Sequence, residues 1–234
     1  MKRPILLCAA TRVEASACER GISRSGNASE FEVLRTGMGP LQAARSLGLR
    51  LGDANRPHPR LIISTGFAGS RLTLVKEGAW ILGSAVHATG EPAIPVSSQL
   101  ERPLSRSGLE HTLAAYFSVP EVQGSQTEGG LHGFAIDMES FSLARLAEER
   151  GIPFEVLRLI SDTPSNPIPE CVREFTAAVL IPDVRGKLNS ALRGLGGMAV
   201  SPVELSRFIL RSSRLPRALE WGWESLAREL VFPT

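Results

Sequence analysis

The stretch between residues 134 and 162 constrains the fold of this 234-residue chain more than any other part of it. Residues 134–136 are a short apolar run of strand length, and residues 154–160 are predicted to form a second strand. Between them, residues 140–150 place apolar side chains on one helical face and charged ones on the other, and Gly151 ends the helix. A strand–helix–strand unit this short predicts a right-handed crossover between parallel strands, and hence an α/β domain.

An acidic residue follows each of the two predicted strands. Glu139 comes just after the first strand and Asp162 just after the second. Because ligands of an open parallel sheet bind outside the carboxyl ends of its strands, both carboxylates are expected at one crevice. There one can bind sugar hydroxyls while the other exchanges a proton with a leaving group. The alternative is that both are helix-start residues, because acids favour the first turn of a helix. For either residue taken alone, this structural explanation is the better one.

The segments around these acids decide between the two interpretations. Asp-Met-Glu-Ser at 137–140 and Arg-Leu-Ile-Ser-Asp at 158–162, separated by one helix, resemble the motifs of the nucleoside phosphorylase/nucleosidase superfamily. Its members cleave the N-glycosidic bond of purine or pyrimidine nucleosides. The resemblance implies a three-layer α/β/α fold with a mixed, mainly parallel central sheet. It also implies that Met138 and Glu139 hold the ribose.

The same resemblance makes Asp162 the acid that protonates the purine leaving group at N7. That role requires a raised pKa in a dry crevice. Asp rather than Asn at this place implies a 6-amino purine such as adenine. Ser161, the preceding residue, is expected to contribute to substrate binding.

A third candidate acid, Glu14, lies near the start of the chain. Residues 5–10 are a continuous apolar run that predicts a buried first strand. Thr11 and Glu14 then have the spacing of a helix capping box. The stretch 9–14 also resembles the segment in which the hydrolytic branch of the superfamily carries the acid that activates water. Both interpretations of Glu14 stay open, and they are compatible if its carboxylate reaches the crevice.

Two glycine-containing segments follow the predicted strands at 31–35 and 61–64. Residues 36–40 lead into a helix whose first position suits Pro40 and whose apolar side is predicted to carry Leu41, Ala44, Leu47 and Leu51. Residues 65–69 resemble the superfamily's Thr-Gly-x-Ala-Gly loop, which lines the ribose and the nucleophile. Free backbone N–H groups at both places can hold phosphate, a hydroxyl or water.

The second segment departs from the phosphorylases at the phosphate site. The resemblance gives Gly66 and Phe67 to substrate binding, but bacterial purine phosphorylases usually carry an Arg and a Ser where this chain has Ser64 and Phe67. An anion needs charge-assisted donors to be held well, so ordinary phosphorolysis is in doubt. The nucleophile is then water, or phosphate held by another residue such as Arg12. No cofactor is expected, apart from phosphate as a possible co-substrate.

An aromatic residue usually sandwiches the base in this superfamily. Phe134 and His132 are the candidates here, although a phenylalanine at the start of a strand is more often a core residue. Residues 104–117, further upstream, carry apolar residues at helical spacing and are predicted to form a helix. The histidines are scattered along the chain, so no metal site is expected.

Composition narrows the class of protein further. A net charge of +2 does not favour nucleic-acid binding. Cys8, Cys18 and Cys171 have no metal-type spacing, which indicates reduced thiols in a cytoplasmic protein. The apolar run at 5–10 is too short for a signal peptide. Because relatives usually form dimers or trimers, the resemblance implies a homo-oligomer.

Residues 201–234 are expected to form an amphipathic helical extension to a domain of residues 1–200. Apolar residues between positions 219 and 230 recur at helical spacing, and arginines give the first half of the tail a positive face. Packing on the domain or on a partner subunit is favoured, and peripheral contact with anionic lipid is the alternative. The tail and the Asp-Met-Glu-Ser motif also resemble the hopanoid-associated phosphorylases. This resemblance implies adenosylhopane, a lipid-linked nucleoside, as substrate.

The sequence therefore predicts an enzyme that cleaves the N-glycosidic bond of a purine nucleoside, with water or phosphate as nucleophile. A nucleosidase of the methylthioadenosine/S-adenosylhomocysteine type is one alternative. A second alternative is a non-catalytic nucleoside-binding protein on the same fold. It stays open because Ser64 and Phe67 depart from the phosphate site of the phosphorylases. The paired acids Glu139 and Asp162 argue against it, because ligand storage needs no leaving-group acid.

Overall fold

The computed structural model describes residues 3–72, 74–120, 133–170, 172, 209–210 and 212–230. The strands in this part of the chain are β1 Ile5–Ala9, β2 Phe31–Arg35, β3 Leu61–Ser70, β4 Trp80–His87, β5 Ile94–Pro95, β6 His111–Ser118, β7 Ala135–Asp137 and β8 Phe154–Asp162. The α-helices are α1 Arg12–Ser25, α2 Pro40–Gly52, α3 Glu101–Ser107, α4 Ser140–Glu149 and α5 Leu215–Glu229. A short 3₁₀ helix spans Ala28–Glu30.

The strands form one mixed sheet that is mainly parallel, as predicted. The order is β2-β1-β3-β7-β6-β4-β5, and β8 pairs with both β3 and β4. Strands β1, β2, β3 and β8 run one way, and β4, β6 and β7 run the other way. Because β3 also pairs with β7, the strands β3, β8, β4, β6 and β7 close into a ring. The ends of β3, β7 and β8 are thereby brought together.

Helices cover both faces of this sheet, which confirms the predicted three-layer α/β/α fold. On one face α2 and α4 pack through residues such as Leu47 and Leu143. On the other face α1, α3 and α5 pack together, and Trp223 of α5 is fully buried. Side chains of a strand alternate between faces, so Ile62 and Ile63 of β3 enter different cores.

The predicted strand–helix–strand unit is present as β7, α4 and β8, but its two strands are not parallel neighbours. Strand β3 pairs with both, antiparallel to β7 and parallel to β8. The predicted parallel crossover is therefore wrong, because it assumed that a short unit must join adjacent strands. The two carboxyl ends still meet, since Gly69 of β3 is in register with Ile136 and also with Asp162.

The predicted helix over residues 104–117 is also wrong. Helix α3 ends at Ser107, Gly108 takes a left-handed conformation with φ 72°, and β6 follows. On β6 alternate positions such as Ala114 and Tyr116 are buried, which is the period of two that a strand requires. A left-handed glycine commonly ends a helix, so Gly108 was the available signal for the break.

Two further predictions differ in detail from the structure. Residues 65–69, predicted as a loop, continue strand β3, because β8 pairs alongside them. Leu41, predicted on the apolar side of α2, is 78% exposed. Helix α2 turns Ala43 and Leu47 toward the core instead.

The C-terminal tail supplies a core helix. The apolar repeat predicted there is buried between α5, α1 and the sheet, and it consists of Leu219, Trp223, Leu226 and Leu230. These side chains therefore face protein rather than lipid. The predicted domain boundary at residue 200, together with Arg207 and Arg211, lies outside the described residues. Among the helices that the structure describes, none is long and apolar enough to cross a membrane.

Candidate active site

A pocket opens where β3, β7 and β8 end, beside the first turns of α1 and α4. Its charged lining residues are Glu14, Arg71, Asp137, Glu139, Arg158 and Asp162. Its large apolar lining residues are Met38, Phe67, Val119, Ile136, Met138 and Ile168. A mostly apolar cleft with a few converging polar groups is the usual form of a small-molecule site. The structure thus brings together all three acids predicted from the sequence, with Met138, Phe67 and Ser161.

Glu14 is both a helix-capping residue and a lining residue of the pocket. Its Oε2 accepts hydrogen bonds from the backbone N–H and the hydroxyl of Thr11, both at 2.7 Å, and Thr11 caps α1 in return. The capping box is therefore confirmed. The Oε1 atom of the same carboxylate accepts the backbone N–H of Phe67 at 2.7 Å. Glu14 is buried at the wall of the pocket, where its carboxylate can reach a ligand.

Gly66 makes room for this carboxylate. It does not line the pocket, but its φ is +121°, and a Cβ added to it would lie 2.2 Å from Oε1 of Glu14. Any side chain would therefore collide with the acid and also strain the backbone. The predicted importance of Gly66 has a physical basis here, although it acts through Glu14 rather than as part of the lining.

Glu139 lies between the N-terminus of one helix and a buried cation. It precedes α4, its Oε1 accepts the backbone N–H of Gly39 at the start of α2 (2.9 Å), and its Oε2 accepts Nη2 of Arg158 (3.2 Å). Burial raises the pKa of Glu139 above its ordinary value, and the charge of Arg158 opposes this effect. The nearby carboxylate of Asp137 raises it again. The charge of Arg158 therefore favours the ionised form of Glu139, while burial favours the protonated form.

Arg158 also lines the pocket, and it belongs to a motif quoted from the sequence in which it was given no role. Its buried guanidinium forms an ion pair with Asp137 (Nε to Oδ2, 3.0 Å) as well as with Glu139. It also donates to the hydroxyl of Ser64 (2.8 Å) and the carbonyl of Phe67 (3.0 Å). Burial disfavours its charge, but the surrounding acidic groups, first Asp137 and Glu139, together raise the pKa of Arg158. One cation thus ties the Phe67 backbone to Glu139.

Asp162 lies at the end of β8 with its carboxylate against the backbone of β3. The hydroxyl of Ser161 donates to Oδ1 of Asp162 at 2.8 Å and also lies 3.2 Å from the carbonyl oxygen of Ala68. A Cβ on Gly69 would come within 2.8 Å of Oδ2. Asp162 is 7% exposed, so its carboxyl is almost dry. Glycine at position 69 is what allows this close approach.

The residues considered for base stacking are not part of the pocket that the structure describes. Phe134 is absent from its lining and instead makes edge-to-face contacts with His87 (5.1 Å between ring centroids) and Phe117 (5.7 Å). This arrangement favours the core interpretation of Phe134. His132 lies outside the described residues.

Two of the residues discussed for phosphate binding, Arg12 and Ser64, do not line the pocket either. Arg12 is exposed in the first turn of α1. Ser64 is fully buried, and its hydroxyl is bonded to Arg158 and to Ser140 (2.9 Å). Ser64 therefore belongs to the buried hydrogen-bond network beneath the site.

Several solved structures share this fold. The 5′-methylthioadenosine/S-adenosylhomocysteine nucleosidase of S. pneumoniae with a transition-state inhibitor has a TM-score of 0.65 at 14% identity, over 99% of this chain and 100% of that chain. The futalosine hydrolase of Helicobacter pylori has a TM-score of 0.59 at 14% identity, over 85% and 98%. A putative nucleosidase of the first type from Borrelia burgdorferi, bound to adenine, has a TM-score of 0.57 at 16% identity, over 88% and 100%. At such identities the likeness establishes the fold.

The fold and the acidic pocket at its strand ends place the protein in the class of three-layer α/β proteins with a nucleoside phosphorylase-like sheet. A family model described as "Phosphorylase superfamily" matches residues 25–179, which is more than half of the chain. The chain therefore belongs to the phosphorylase superfamily. A comparison with curated proteins found no match.

Proposed function

We propose that this protein hydrolyses the N-glycosidic bond of a purine nucleoside, with water as the nucleophile. The observation that carries the proposal concerns the two glycine-containing segments whose backbone N–H groups were predicted to bind an anion. The Phe67 N–H donates to Glu14, and the Gly39 N–H donates to Glu139. Carboxylates of the protein therefore occupy both donors. A phosphate ion would have to displace an acid, whereas a water molecule can be bound beside one.

The charge balance of the pocket supports the same conclusion. Among the described residues, three carboxylates line it besides Asp162, which has to be protonated to act as the acid, and these are Glu14, Asp137 and Glu139. Two cations are among its described lining residues; Arg158 is ion-paired with Asp137 and Glu139, and Nη1 of Arg71 lies 3.2 Å from the carbonyl oxygen of Ser70. A phosphate dianion would meet net repulsion in a site of low dielectric, where charges interact most strongly. A neutral water molecule meets no such barrier.

Each acid then has one step in the reaction. The Glu139 carboxylate accepts hydrogen bonds from ribose hydroxyls, while Met138 packs beneath the sugar. As the bond to the base lengthens, positive charge develops on the ribose, and the surrounding carboxylates stabilise it. Asp162 donates a proton to N7, so that the base leaves neutral. Glu14 orients the attacking water and takes its proton.

The base that we propose is adenine. This assignment follows the resemblance of the Ser161-Asp162 motif to adenine-cleaving relatives. The solved structures include one bound to adenine, and this likeness is consistent with the assignment. A futalosine hydrolase has the same fold, so the substrate panel includes futalosine and inosines as well as adenosines.

The test is base release from 5′-substituted adenosines and inosines, followed by chromatography with and without phosphate. We expect phosphate-independent release of adenine. Asp162→Asn is expected to abolish release with little change in thermal stability, and Glu14→Gln to slow it strongly. Release that requires phosphate would contradict the hydrolytic mechanism. No release of any base, with ligand binding retained, would favour a non-catalytic nucleoside-binding protein.

An apolar substituent on the 5′ carbon is a finer proposal that one observation favours. Val13 and Leu41, in the first turns of α1 and α2, are 54% and 78% exposed. They are close in sequence to Glu14 and Met38, which line the pocket. We therefore propose 5′-methylthioadenosine as the first substrate to test, and the lipid-linked adenosylhopane as the second. Equal kcat/KM for adenosine and both compounds would contradict an apolar 5′ subsite.

A further inference from the structure

Helix α5, from the C-terminal tail, is in backbone contact with α1, the helix that carries Glu14. A Cβ added to Gly21 of α1 would lie only 2.3 Å from the carbonyl oxygen of Glu220, so a glycine is needed for this approach. Glu220 is also ion-paired with Arg20 (2.7 Å) and with Arg24 of α1. The position of α1 against the sheet is therefore fixed in part by a helix from the other end of the chain.

Trp223 of α5 extends this contact to strand β3. Its ring is fully buried, and its Nε1 donates a hydrogen bond of 3.0 Å to the hydroxyl oxygen of Thr65. Cys18, which lies one helical turn after Glu14 on α1, is fully buried in the same hydrophobic cluster as Trp223. Helices α5 and α1 thus pack together beside the β3 residue that accepts this hydrogen bond.

This hydroxyl lies directly before the two residues that receive the Glu14 carboxylate. Gly66 provides the space for Oε1, and Phe67 donates its N–H to the same atom. Because Glu14 packs so closely against Gly66, a shift of β3 at Thr65 would change the Gly66 contact and the Phe67 hydrogen bond together. A buried indole N–H that lacks an acceptor loses its hydrogen bonds to water without replacement, which is costly. The hydrogen bond between Trp223 and Thr65 is therefore kept, and it fixes the distance between α5 and β3.

We propose that Trp223 is a positioning residue for the nucleophile side of the pocket. Through Thr65 it holds the Gly66–Phe67 backbone at the distance that orients Glu14 toward the attacking water. The inference rests on the proposed function in one respect, the role of Glu14 in holding water. It makes the last described helix of the tail a determinant of turnover as well as of folding.

The test compares variants that remove the hydrogen bond from either side. Trp223→Phe removes the donor and Thr65→Val removes the acceptor, while Thr65→Ser retains it. We expect kcat for adenine release to fall about tenfold in the first two with KM changed less than about twofold, because small displacements of a catalytic group cost turnover. Thr65→Ser should restore kcat, and the double variant should be no slower than either single one.

Leu226→Ala is the matched control, because Leu226 is a buried residue of α5 without a polar side chain. It should lower the melting temperature but leave kcat unchanged well below that temperature. If Trp223→Phe behaves like this control, or if the effects of Trp223→Phe and Thr65→Val simply add, the positioning role is overturned.

Amide hydrogen exchange of residues 61–70 without substrate gives a second readout that does not depend on activity. We expect faster exchange at Phe67 in Trp223→Phe than in Leu226→Ala. If the wild-type protein releases no base, the proposed function fails, and this exchange measurement alone decides whether Trp223 holds the Gly66–Phe67 backbone. Equal exchange in the two variants would overturn the inference.

Discussion

Replacing Gly66 by alanine tests the link between the backbone of β3 and the candidate water-activating acid. The added Cβ would lie 2.2 Å from Oε1 and 2.7 Å from Cδ of Glu14, and a separation under 3.0 Å is not found in real proteins. The carboxylate must therefore retreat by about 1 Å, a displacement that typically costs about 10²-fold in rate. The hydrogen bond from the Phe67 N–H, now 2.7 Å, would be broken.

Backbone strain accompanies this collision and has to be measured separately. Gly66 has φ +121°, so alanine there also carries a conformational cost of about 1–3 kcal/mol. Gly26 is the matched control, because its φ is +83° and nothing lies within 4 Å of an added Cβ. Gly26→Ala should lower the free energy of unfolding by about 1–2 kcal/mol and leave kcat unchanged. The difference between the two variants isolates the displacement of Glu14.

The assay is the initial rate of adenine release from 5′-methylthioadenosine, at a temperature where both variants are folded. We expect kcat of Gly66→Ala to fall about 10²-fold, with KM changed much less. Gly66→Ala should add no further loss to Glu14→Ala, because both act on the same group. If Gly66→Ala retains kcat within twofold of Gly26→Ala, or if it slows the Glu14→Ala variant further, the reasoning is refuted.

Three other predictions concern buried charges. Arg158→Leu should lower the free energy of unfolding in urea by about 3–5 kcal/mol, because it leaves the acids Asp137 and Glu139 buried without their cation; a loss under about 1 kcal/mol would contradict this ion-pair network. Burial raises the pKa of Glu155 to about 7, so the native state binds more protons than the unfolded state, and stability should fall as the pH rises from about 5 to 8. Glu155→Gln should flatten this dependence of the melting temperature, and an unchanged slope would show that Glu155 does not cause it. Burial also raises the pKa of Glu139, so the acidic limb of kcat/KM should lie above the ordinary carboxyl range near pH 4.5, and a limb at that ordinary value would contradict this effect.

Sequence reasoning located the acids of the pocket because each one follows a strand and lies within a short motif. Predicting these acids required only the boundaries of the strands and helices and the spacing of the motifs. Both were nearly right for Glu14, Glu139 and Asp162. The reason given for their convergence was wrong, since β7 and β8 do not form a parallel crossover. The ends of β7 and β8 meet because strand β3 is long enough to pair with both strands at Gly69. A strand's length and its partners depend on contacts far apart in sequence, which no local pattern encodes.

Arg158 shows a different limit of the sequence. In the chain it is one charged residue inside an apolar strand, which is compatible with an edge position or an exposed face. Its importance comes from Asp137 and Glu139, which are about twenty residues away and across a helix. The available signal was energetic, because a cation in a strand buried on both faces requires anionic partners. The nearest acids in the same strand–helix–strand unit were the candidates.

The glycine-containing segments were correctly predicted to present backbone donors, but the group that takes these donors belongs to the protein itself. A local rule cannot distinguish a phosphate from a carboxylate that the chain folds back into the same place.

The buried position of Ser64 limits how this site could be changed to bind phosphate. Introducing an arginine at position 64 would not create a phosphate site, because Ser64 is fully buried and its hydroxyl already accepts a bond from Arg158. The new cation would face Arg158 across a distance of a few ångströms, and Glu14 would still occupy the Phe67 N–H. We therefore do not expect Ser64→Arg to make base release depend on phosphate while Arg158 and Glu14 keep their present partners.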